Sequence, residues 1–220
     1  MTLPYDPCFA GGKAMTTTNA SNPRSVGWVE RSETHHRARY IHPMTSYRRN
    51  FVPGGSFFFT VNLLDRRSRF LTAHIGALRA AFRETKMRHP FSIEAIVVLP
   101  DHLHAMWTLP KGDSDFATRW RLIKSRFSRA LPVGEQISES RASKGERGIW
   151  QRRYWEHTLR DENDFARHAD YIHFNPVKHG HVTRVADWPH SSFHRMVKLG
   201  VYPADWAGDA QDGEDEFGEG

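Results

Sequence analysis

The chain has 220 residues and an ordinary hydrophobic content of 39%, which is enough for one hydrophobic core. No apolar run approaches the length of a membrane span and no secretory signal is recognisable, so we expect a cytoplasmic protein without a membrane partner. The single cysteine, Cys8, excludes an internal disulfide and a cysteine-based zinc site.

Charge is distributed unevenly along the chain. Residues 205–220 carry seven acidic residues and no Lys or Arg, so the net charge of +6 for the whole chain leaves +13 on residues 1–204. A basic body of this kind is typical of proteins that bind a polyanion, most often nucleic acid, and also of basic surfaces without a partner. If the acidic tail shields the basic body, truncation after Tyr202 is expected to raise DNA affinity.

Residues 1–43 are rich in Thr, Ser, Asn, Gly and Pro and show little apolar periodicity, so we predict that they are disordered. Met44 then begins a segment, MTSYRRNFVPGGSFFFTVNL, that looks like a natural protein start. One hypothesis is that translation begins at Met44, and the alternative is a disordered N-terminal arm. We predict a single domain over residues 44–204, followed by a disordered acidic tail over residues 205–220.

The first half of this domain is predicted to contain a strand, a helix and a hairpin. Residues 57–63 (FFFTVNL) are aromatic and β-branched, which is typical of a buried strand. Apolar residues in the segment 70–87 recur at spacings of four, three and four, which predicts a helix with one buried stripe. Buried strands are predicted over 91–99 and 102–109, and the tight turn at 100–101 makes them an antiparallel hairpin.

The second half begins with a predicted helix over residues 115–131. Its surface is expected to carry five cations and no acid, which favours phosphate contacts over a merely solvated face; these are Arg119, Arg121, Lys124, Arg126 and Arg129. Residues 131–148 are predicted to form a loop. Aromatic residues alternate with arginines in residues 149–160, which predicts a strand that either stacks on bases or has one aromatic core face.

Asp161 is predicted to begin another helix, which Pro176 should end near Asn175. A short, partly helical segment is predicted over residues 188–199. The resulting order is β-α-β-β-α-β plus a final helix. This predicts an α+β, ferredoxin-like fold with an antiparallel sheet and the two core helices on one face.

The most informative local pattern is the pair His102 and His104, which flank Leu103 on the third predicted strand. Alternate residues of a strand share a face, so the two imidazoles should lie roughly 7 Å apart on one side. Tyr171 and Asn175 lie four residues apart on the last helix and therefore face the same way. Taken alone, the histidines could be solvated and the tyrosine could be a core residue. Their combination in a basic protein of this topology favours a metal site that faces a tyrosine nucleophile.

Phosphodiester cleavage would use these groups directly. A phosphodiester resists attack because its oxygens repel a nucleophile, and a divalent cation stabilises the charge that develops. The two histidines would supply neutral nitrogen ligands, and Asn175 would supply an oxygen. Attack by Tyr171 would leave a phosphotyrosine and release a hydroxyl. This step is reversible because the bond energy is kept, whereas hydrolysis would lose it.

The segment from Met44 to about Trp206 resembles the REP-associated tyrosine transposases, relatives of the single-tyrosine HUH transposases of insertion sequences. The matching segments are YRRNFVPGGSFFFTVNLLDRR (47–67), VVLPDHLHAMWTLP (97–110), RWRLIKSRFSR (119–129), WQRRYWEHTLRDENDF (150–165) and YIHFNPVKHG (171–180). The resemblance implies the HUH fold, a nucleophile at Tyr171, and Mg²⁺ or Mn²⁺ bound by His102, His104 and Asn175. Asn175 replaces the Gln that is common in insertion-sequence relatives.

The resemblance also implies a substrate. REP elements (repetitive extragenic palindromes) fold as single-stranded DNA into imperfect hairpins with a tetranucleotide at the foot, and the family cleaves and rejoins them. The peptide VGWVERSETHH (26–36) resembles a translated REP element, which agrees with this implication. Charge and position alone select the predicted DNA contacts, which are Arg119, Arg121, Lys124, Arg126, Arg152 and Arg153.

The sequence leaves two other functions open: a REP hairpin-binding architectural or regulatory protein without strand transfer, and a metal nuclease that uses water. The covalent protein–DNA adduct distinguishes the predicted transposase from both. The oligomeric state is also open between a monomer and a homodimer.

Overall fold

A computed structural model describes residues 50–134, 137–208 and 217. The predictions for residues 1–43, including the start at Met44 and the REP-like peptide, lie outside the described residues. Most of the acidic tail also lies outside them. The boundaries of the predicted domain and tail therefore stay predictions.

A four-stranded sheet forms the centre of the fold. Its strands are β1 (Ser56–Asn62), β2 (Ser92–Val98), β3 (His102–Thr108) and β4 (Trp155–Thr158). They are antiparallel throughout and lie in the order β2-β3-β1-β4. This order confirms the predicted α+β, ferredoxin-like plan. The register places Asn62 opposite His102 and Thr60 opposite His104.

Helices cover both faces of the sheet. They are α1 (Phe70–Ala73), α2 (Ile75–Arg88), α3 (Phe116–Ala130), α4 (Glu139–Ala142), α5 (Glu162–Lys178) and α6 (Phe193–Lys198), with a 3₁₀ turn at Val185–Asp187. One sheet face carries Phe59 and Trp107 and packs against α2 and α3. The other carries Phe58 and Met106 and packs against α5. Strand alternation thus separates two cores, and α5 covers the face to which His104 belongs.

Two predicted elements are shorter than expected. The helix predicted over residues 70–87 is divided at His74 into α1 and α2. The strand predicted over residues 149–160 is reduced to β4. Before β4, Trp150 forms only an isolated antiparallel bridge with Leu63. The carbonyls of Trp150 and Gln151 accept hydrogen bonds from the side chains of Arg141 and Lys124, so no continuous strand forms here. The predicted loop over residues 131–148 contains the single turn α4.

Helix α5 continues past the predicted end near Asn175. Pro176 has no N–H to donate, which removes one helical hydrogen bond. The turn is kept because His179 N donates to Asn175 O at 3.0 Å and His181 N donates to Pro176 O at 2.9 Å. The extension places Lys178 and His179 beside the predicted site. Within the part of the chain that the structure describes, no helix is long and apolar enough to cross a membrane.

Candidate metal and nucleophile site

The structure brings the predicted histidines and tyrosine together on one face of the sheet. His102 and His104 project from β3 towards α5, and their ring centroids lie 5.0 Å apart. Both histidines are buried. The ring centroid of Tyr171 lies 5.3 Å from that of His104. Asn175 is buried one helical turn beyond Tyr171, as the four-residue spacing predicts.

Asp101 fixes the orientation of His102. Its Oδ1 lies 2.9 Å from His102 Nδ1, and its Oδ2 pairs with Arg66 Nε at 2.8 Å. Because an ionised carboxylate can only accept, Nδ1 carries the proton and Nε2 presents a lone pair. Among the described residues, His102 Nε2 is buried without a hydrogen-bond partner. A buried nitrogen acceptor held in this way is suited to a metal ion.

Thr60 on β1 fixes His104 in the same tautomer. The Thr60 hydroxyl donates to the carbonyl of Phe217 at 2.6 Å, and its oxygen lies 2.9 Å from His104 Nδ1. Since the hydroxyl proton is used towards Phe217, His104 Nδ1–H is the donor in the second bond. The remaining lone pair of His104 is therefore on Nε2. The two rings can act together as neutral nitrogen ligands of one divalent cation.

Burial also keeps His102 neutral, which is the protonation state that can bind a metal ion. Removal from solvent lowers the pKa of His102 below its usual 6.5, against the opposing influence of Asp101. Burial opposes ionisation of Asp101, but the hydrogen bond from His102 and the nearby charges outweigh it and hold the pKa of Asp101 below 3.8. An ionised carboxylate therefore orients a neutral imidazole at pH 7.

The ring of Tyr171 is enclosed by other side chains. Phe217 stacks on it with ring centroids 3.7 Å apart and planes 10° apart. Phe58 meets it edge-on, and Lys178 Nζ lies 5.0 Å from the centre of the ring. Phe217 belongs to the acidic tail that the sequence predicts to be disordered, yet it covers the candidate nucleophile.

A second cluster of titratable groups lies between β4 and the start of α5 and was not predicted. The ligand atoms of His157, Asp164 and His168 lie within 4.8 Å of one another, the one such three-residue group of His, Cys, Asp and Glu among the described residues. Asp164 Oδ2 accepts from His157 Nε2 at 2.8 Å and from Arg160 N at 3.1 Å. Its Oδ1 contacts His168 Nδ1 at 3.0 Å and Arg167 Nη2 at 3.4 Å.

Four donors thus surround the Asp164 carboxylate, and two belong to arginine residues. A cation at this position would have to displace these bonds and approach the guanidinium of Arg167, so the contacts favour a hydrogen-bonded network that ties β4 to α5. The roles of Asp101 and Thr60 were not predicted either. Asp101 adjoins the histidine pair and could have been noticed, whereas Thr60 is recognisable only from the β1–β3 register.

The predicted DNA contacts lie on α3 and just before β4, away from the histidine pair. Arg119 is 2% exposed, so the prediction that it lies on the surface is wrong. Its guanidinium bonds to the carboxylate of Asp113 and to the carbonyls of His89 and Pro90. These partners hold Arg119 in the interior, where it ties α3 to the end of α2.

The other predicted contacts are more accessible. Arg126 bonds to Thr85, Lys124 bonds to the carbonyl of Gln151, and Arg152 pairs with Glu146. Arg121 and Arg153 are exposed. Basic groups that sequence reasoning missed lie nearer to the histidines: Arg66 pairs with Asp101, and the ring centroid of His179 lies 5.1 Å from that of His102.

A ferredoxin-like sheet whose HxH pair faces a tyrosine on a covering helix is the arrangement expected of a single-tyrosine HUH protein. Comparison with known proteins narrows this class. No family model matches the chain. The REP-associated tyrosine transposase of Escherichia coli (strain K12) is 50% identical over 169 residues, which cover 77% of this chain and 94% of the relative. A Haemophilus influenzae relative that carries the same family name is 49% identical over 166 residues, with 75% and 94% covered.

A solved structure also resembles this chain and carries the same family name as the two relatives. It is described as a REP-associated tyrosine transposase bound to a REP hairpin, and it matches with a TM-score of 0.69 and 50% identity. The match covers 77% of this chain and 95% of the solved chain. The protein therefore belongs to the REP-associated tyrosine transposases.

Proposed function

We propose that this protein cleaves and rejoins single-stranded REP DNA hairpins through a covalent 5′-phosphotyrosine at Tyr171. The observation that carries the proposal is the pair of histidines whose Nδ1 atoms are held by Asp101 and Thr60, next to Tyr171 on α5. The names of the relatives support DNA processing, and the hairpin bound to the solved relative supports the substrate class.

The divalent cation that the family resemblance implies, Mg²⁺ or Mn²⁺, would bind at this donor set. Two imidazole nitrogens from His102 and His104 and the amide oxygen of Asn175 would hold the ion, and solvent or phosphate oxygens would complete its coordination. When bound, the cation supplies Lewis-acid stabilisation of the charge that develops on the scissile phosphate. The orphaned Nε2 of His102 is the clearest sign that the site is built for such a group.

The reacting group of the chain is the Tyr171 hydroxyl. Its oxygen forms a bond to phosphorus and loses its proton, while the bond between phosphorus and the 3′ oxygen of the preceding nucleotide breaks. The released oxygen takes up a proton and becomes a 3′-hydroxyl. A 3′-hydroxyl that attacks the phosphotyrosine reverses the step and rejoins DNA. Lys178 places a positive charge beside the ring that receives the phosphate.

A denaturing gel tests this proposal. The protein is incubated with hairpin single-stranded DNA and Mg²⁺ or Mn²⁺, in parallel with a Tyr171→Phe variant. We expect a slowly migrating protein–DNA adduct with the wild type alone, whereas Tyr171→Phe should still bind the hairpin when noncovalent binding is measured separately under native conditions. Cleavage that persists in Tyr171→Phe would indicate a nuclease that uses water. Binding without cleavage under any metal condition would indicate an architectural or regulatory role.

A further inference from the structure

A cavity of about 810 Å³ lies between α3 and residues 141–154. Helix α3 packs on the sheet face opposite the one to which His102, His104 and α5 belong, so this cavity is separate from the candidate catalytic site. Among the described residues that line it there is one carboxylate, Glu146. The basic residues of the lining are Arg121, Lys124, Arg129, Arg141, Arg147 and Arg152.

The lining of this cavity carries more positive than negative charge. Glu146 is shared between Arg141 and Arg152, so one negative charge faces two guanidinium groups. Arg147 donates to the carbonyls of Ser128, Leu131 and Pro132, which hold its guanidinium at the end of α3. Six cations in a lining with one carboxylate create a local potential that attracts a polyanion.

On the α3 side, the rim of the cavity presents two exposed cations at a fixed spacing. Arg121 and Arg129 are both exposed on α3 and lie eight residues apart. An α-helix rises 1.5 Å per residue, so their Cα atoms are about 12 Å apart along the helix axis. This spacing is close to the width of the DNA major groove, about 12 Å, so the two cations can meet backbones on both of its sides.

The aromatic rings near the cavity are not open for base stacking. Trp150 is 7% exposed, and Lys124 Nζ lies 5.7 Å from its ring centroid and 5.3 Å from that of Tyr154. Unpaired strands are usually bound by cations together with open aromatic faces. A cationic surface without such faces suits phosphates and carries no base readout. Of the two alternatives that the sequence leaves open for residues 149–160, these positions of Trp150 and Tyr154 favour an aromatic core face over base stacking.

We propose that this cavity and its rim bind the phosphate backbones of the paired hairpin stem. The inference rests on the proposed function, because it takes a DNA hairpin as the substrate. The DNA would contact both faces of the sheet by passing around β4, which is an edge strand. On that side of the sheet Tyr154 belongs to the α3-side core, and its neighbour Trp155 belongs to the α5-side core.

The test is fluorescence anisotropy with full-length protein and three labelled DNAs: a hairpin with its unpaired foot, the paired stem alone, and an unpaired oligonucleotide of the foot sequence. The variant is Arg121→Gln/Arg129→Gln. Its control is Arg83→Gln/Arg88→Gln, which removes the same charge from exposed positions on α2. A second variant, Arg121→Lys/Arg129→Lys, keeps the charge at the rim.

We expect the rim glutamine variant to bind both stem-containing DNAs about tenfold more weakly. The slope of log K against log [salt] should decrease in magnitude by about 2. This is about one for each phosphate that the variant no longer neutralises. Binding of the unpaired oligonucleotide should stay within about twofold, and the lysine variant should bind nearly as the wild type does.

Equal weakening in the α2 control, equal weakening for the unpaired oligonucleotide, or unchanged stem binding would each overturn the inference. The Tyr171 adduct is measured separately on saturating DNA. If the adduct fails to form while the rim variant still binds the stem more weakly, only the proposed function is contradicted.

Discussion

At the scale of single residues, the central feature is the pair of hydrogen bonds that orient the rings of His102 and His104. Asp101 and Thr60 each accept the Nδ1 proton of one imidazole and leave both Nε2 atoms as acceptors. Loss of such a partner is expected to lower metal affinity almost as much as loss of a ligand, because a ring that can rotate or change tautomer no longer directs Nε2 towards the metal.

Substitution Asp101→Asn tests this role. The amide keeps the shape of the side chain but loses the charge that pairs with His102 and Arg66. We expect Mn²⁺ affinity, measured by calorimetry, to fall about 10- to 100-fold. The control is Asp65→Asn, an exposed carboxylate that pairs with Arg67. Unchanged Mn²⁺ affinity in Asp101→Asn would place the metal elsewhere.

The residues found from sequence are those whose geometry is local. His102 and His104 share a face because strands alternate, and Tyr171 and Asn175 share a face because helices repeat. The role of Thr60 could not be predicted from sequence, because its partner His104 lies 44 residues later in the chain, on the neighbouring strand. Arg119 was wrongly predicted to lie on the surface for a similar reason. The acceptors that stabilise its buried guanidinium include backbone carbonyls 29 and 30 residues earlier in the chain.

At the scale of elements, α5 is the unit that positions Tyr171, the proposed nucleophile. Two hydrogen bonds hold it: Asp164 bonds to His157 and ties the first turn of α5 to β4, and His173 bonds to Ser192 just before α6. The turn beyond Pro176 carries Lys178, which lies beside the ring of Tyr171. The sequence predicted the existence of α5 but not its last turn, because the tertiary contacts and residual hydrogen bonds around Pro176 outweigh a local preference.

Substitution Asp164→Ala separates the structural and metal-binding interpretations of the second cluster. It leaves His157 and the N–H of Arg160 without their acceptor, whereas His168 keeps its bond to the backbone carbonyl of residue 164. The two lost acceptor contacts should cost about 3 kcal/mol of unfolding free energy in urea titrations. Mn²⁺ affinity should stay within about twofold, because the ion is expected at His102 and His104. Loss of Mn²⁺ binding with little loss of stability would instead make this cluster the metal site. Asp187→Ala, which removes an exposed i, i+3 ion pair on a surface turn, serves as the control.

The buried His173 predicts a stability that depends on pH. Burial lowers its pKa to about 4, whereas an unfolded chain has a value near 6.5. The unfolded state therefore binds the proton first as the pH falls, so stability is complete above about pH 6.5 and is lost progressively down to about pH 4. His173 alone should contribute about 3 kcal/mol to this loss.

Urea unfolding at several pH values, with His173→Gln as the comparison, measures this contribution. The variant should show a smaller loss between pH 6.5 and pH 4 than the wild type. Burial also lowers the pKa values of His102, His168 and His190, so they contribute in the same direction and the wild-type dependence exceeds the share of His173. Parallel pH profiles for the two proteins would contradict the assignment.

At the scale of the whole molecule, the sheet separates the candidate catalytic site from the cationic cavity. One face carries the histidine pair and Tyr171, and the other carries the cationic cavity beside α3. The basic composition predicts a polyanionic partner, which agrees with the REP hairpin bound to the solved relative, but it could not show how the charge is distributed. That distribution depends on segments far apart in the sequence, such as α3 and residues 141–152, which meet only in the folded chain.

The covering of Tyr171 by Phe217 predicts that the tail restrains the reaction. Phe217→Ala removes the stacked ring but keeps all seven acidic residues of the tail, so it separates steric covering from charge competition. We expect faster adduct formation with little change in hairpin affinity. Truncation after Gly208 also removes six of the seven acids and should raise affinity as well. An unchanged or slower rate in Phe217→Ala would mean that the ring does not limit access to Tyr171.

Mapping of the covalent bond tests the central claim most directly. Wild-type protein is reacted with a hairpin and Mn²⁺, digested with nuclease and protease, and its peptides are weighed by mass spectrometry. We predict a nucleotide or phosphate on the peptide that contains Tyr171, and no such peptide from Tyr171→Phe or from His102→Ala/His104→Ala. Cleaved DNA without any modified peptide, or a modified peptide that lacks Tyr171, would contradict the proposed role of this tyrosine.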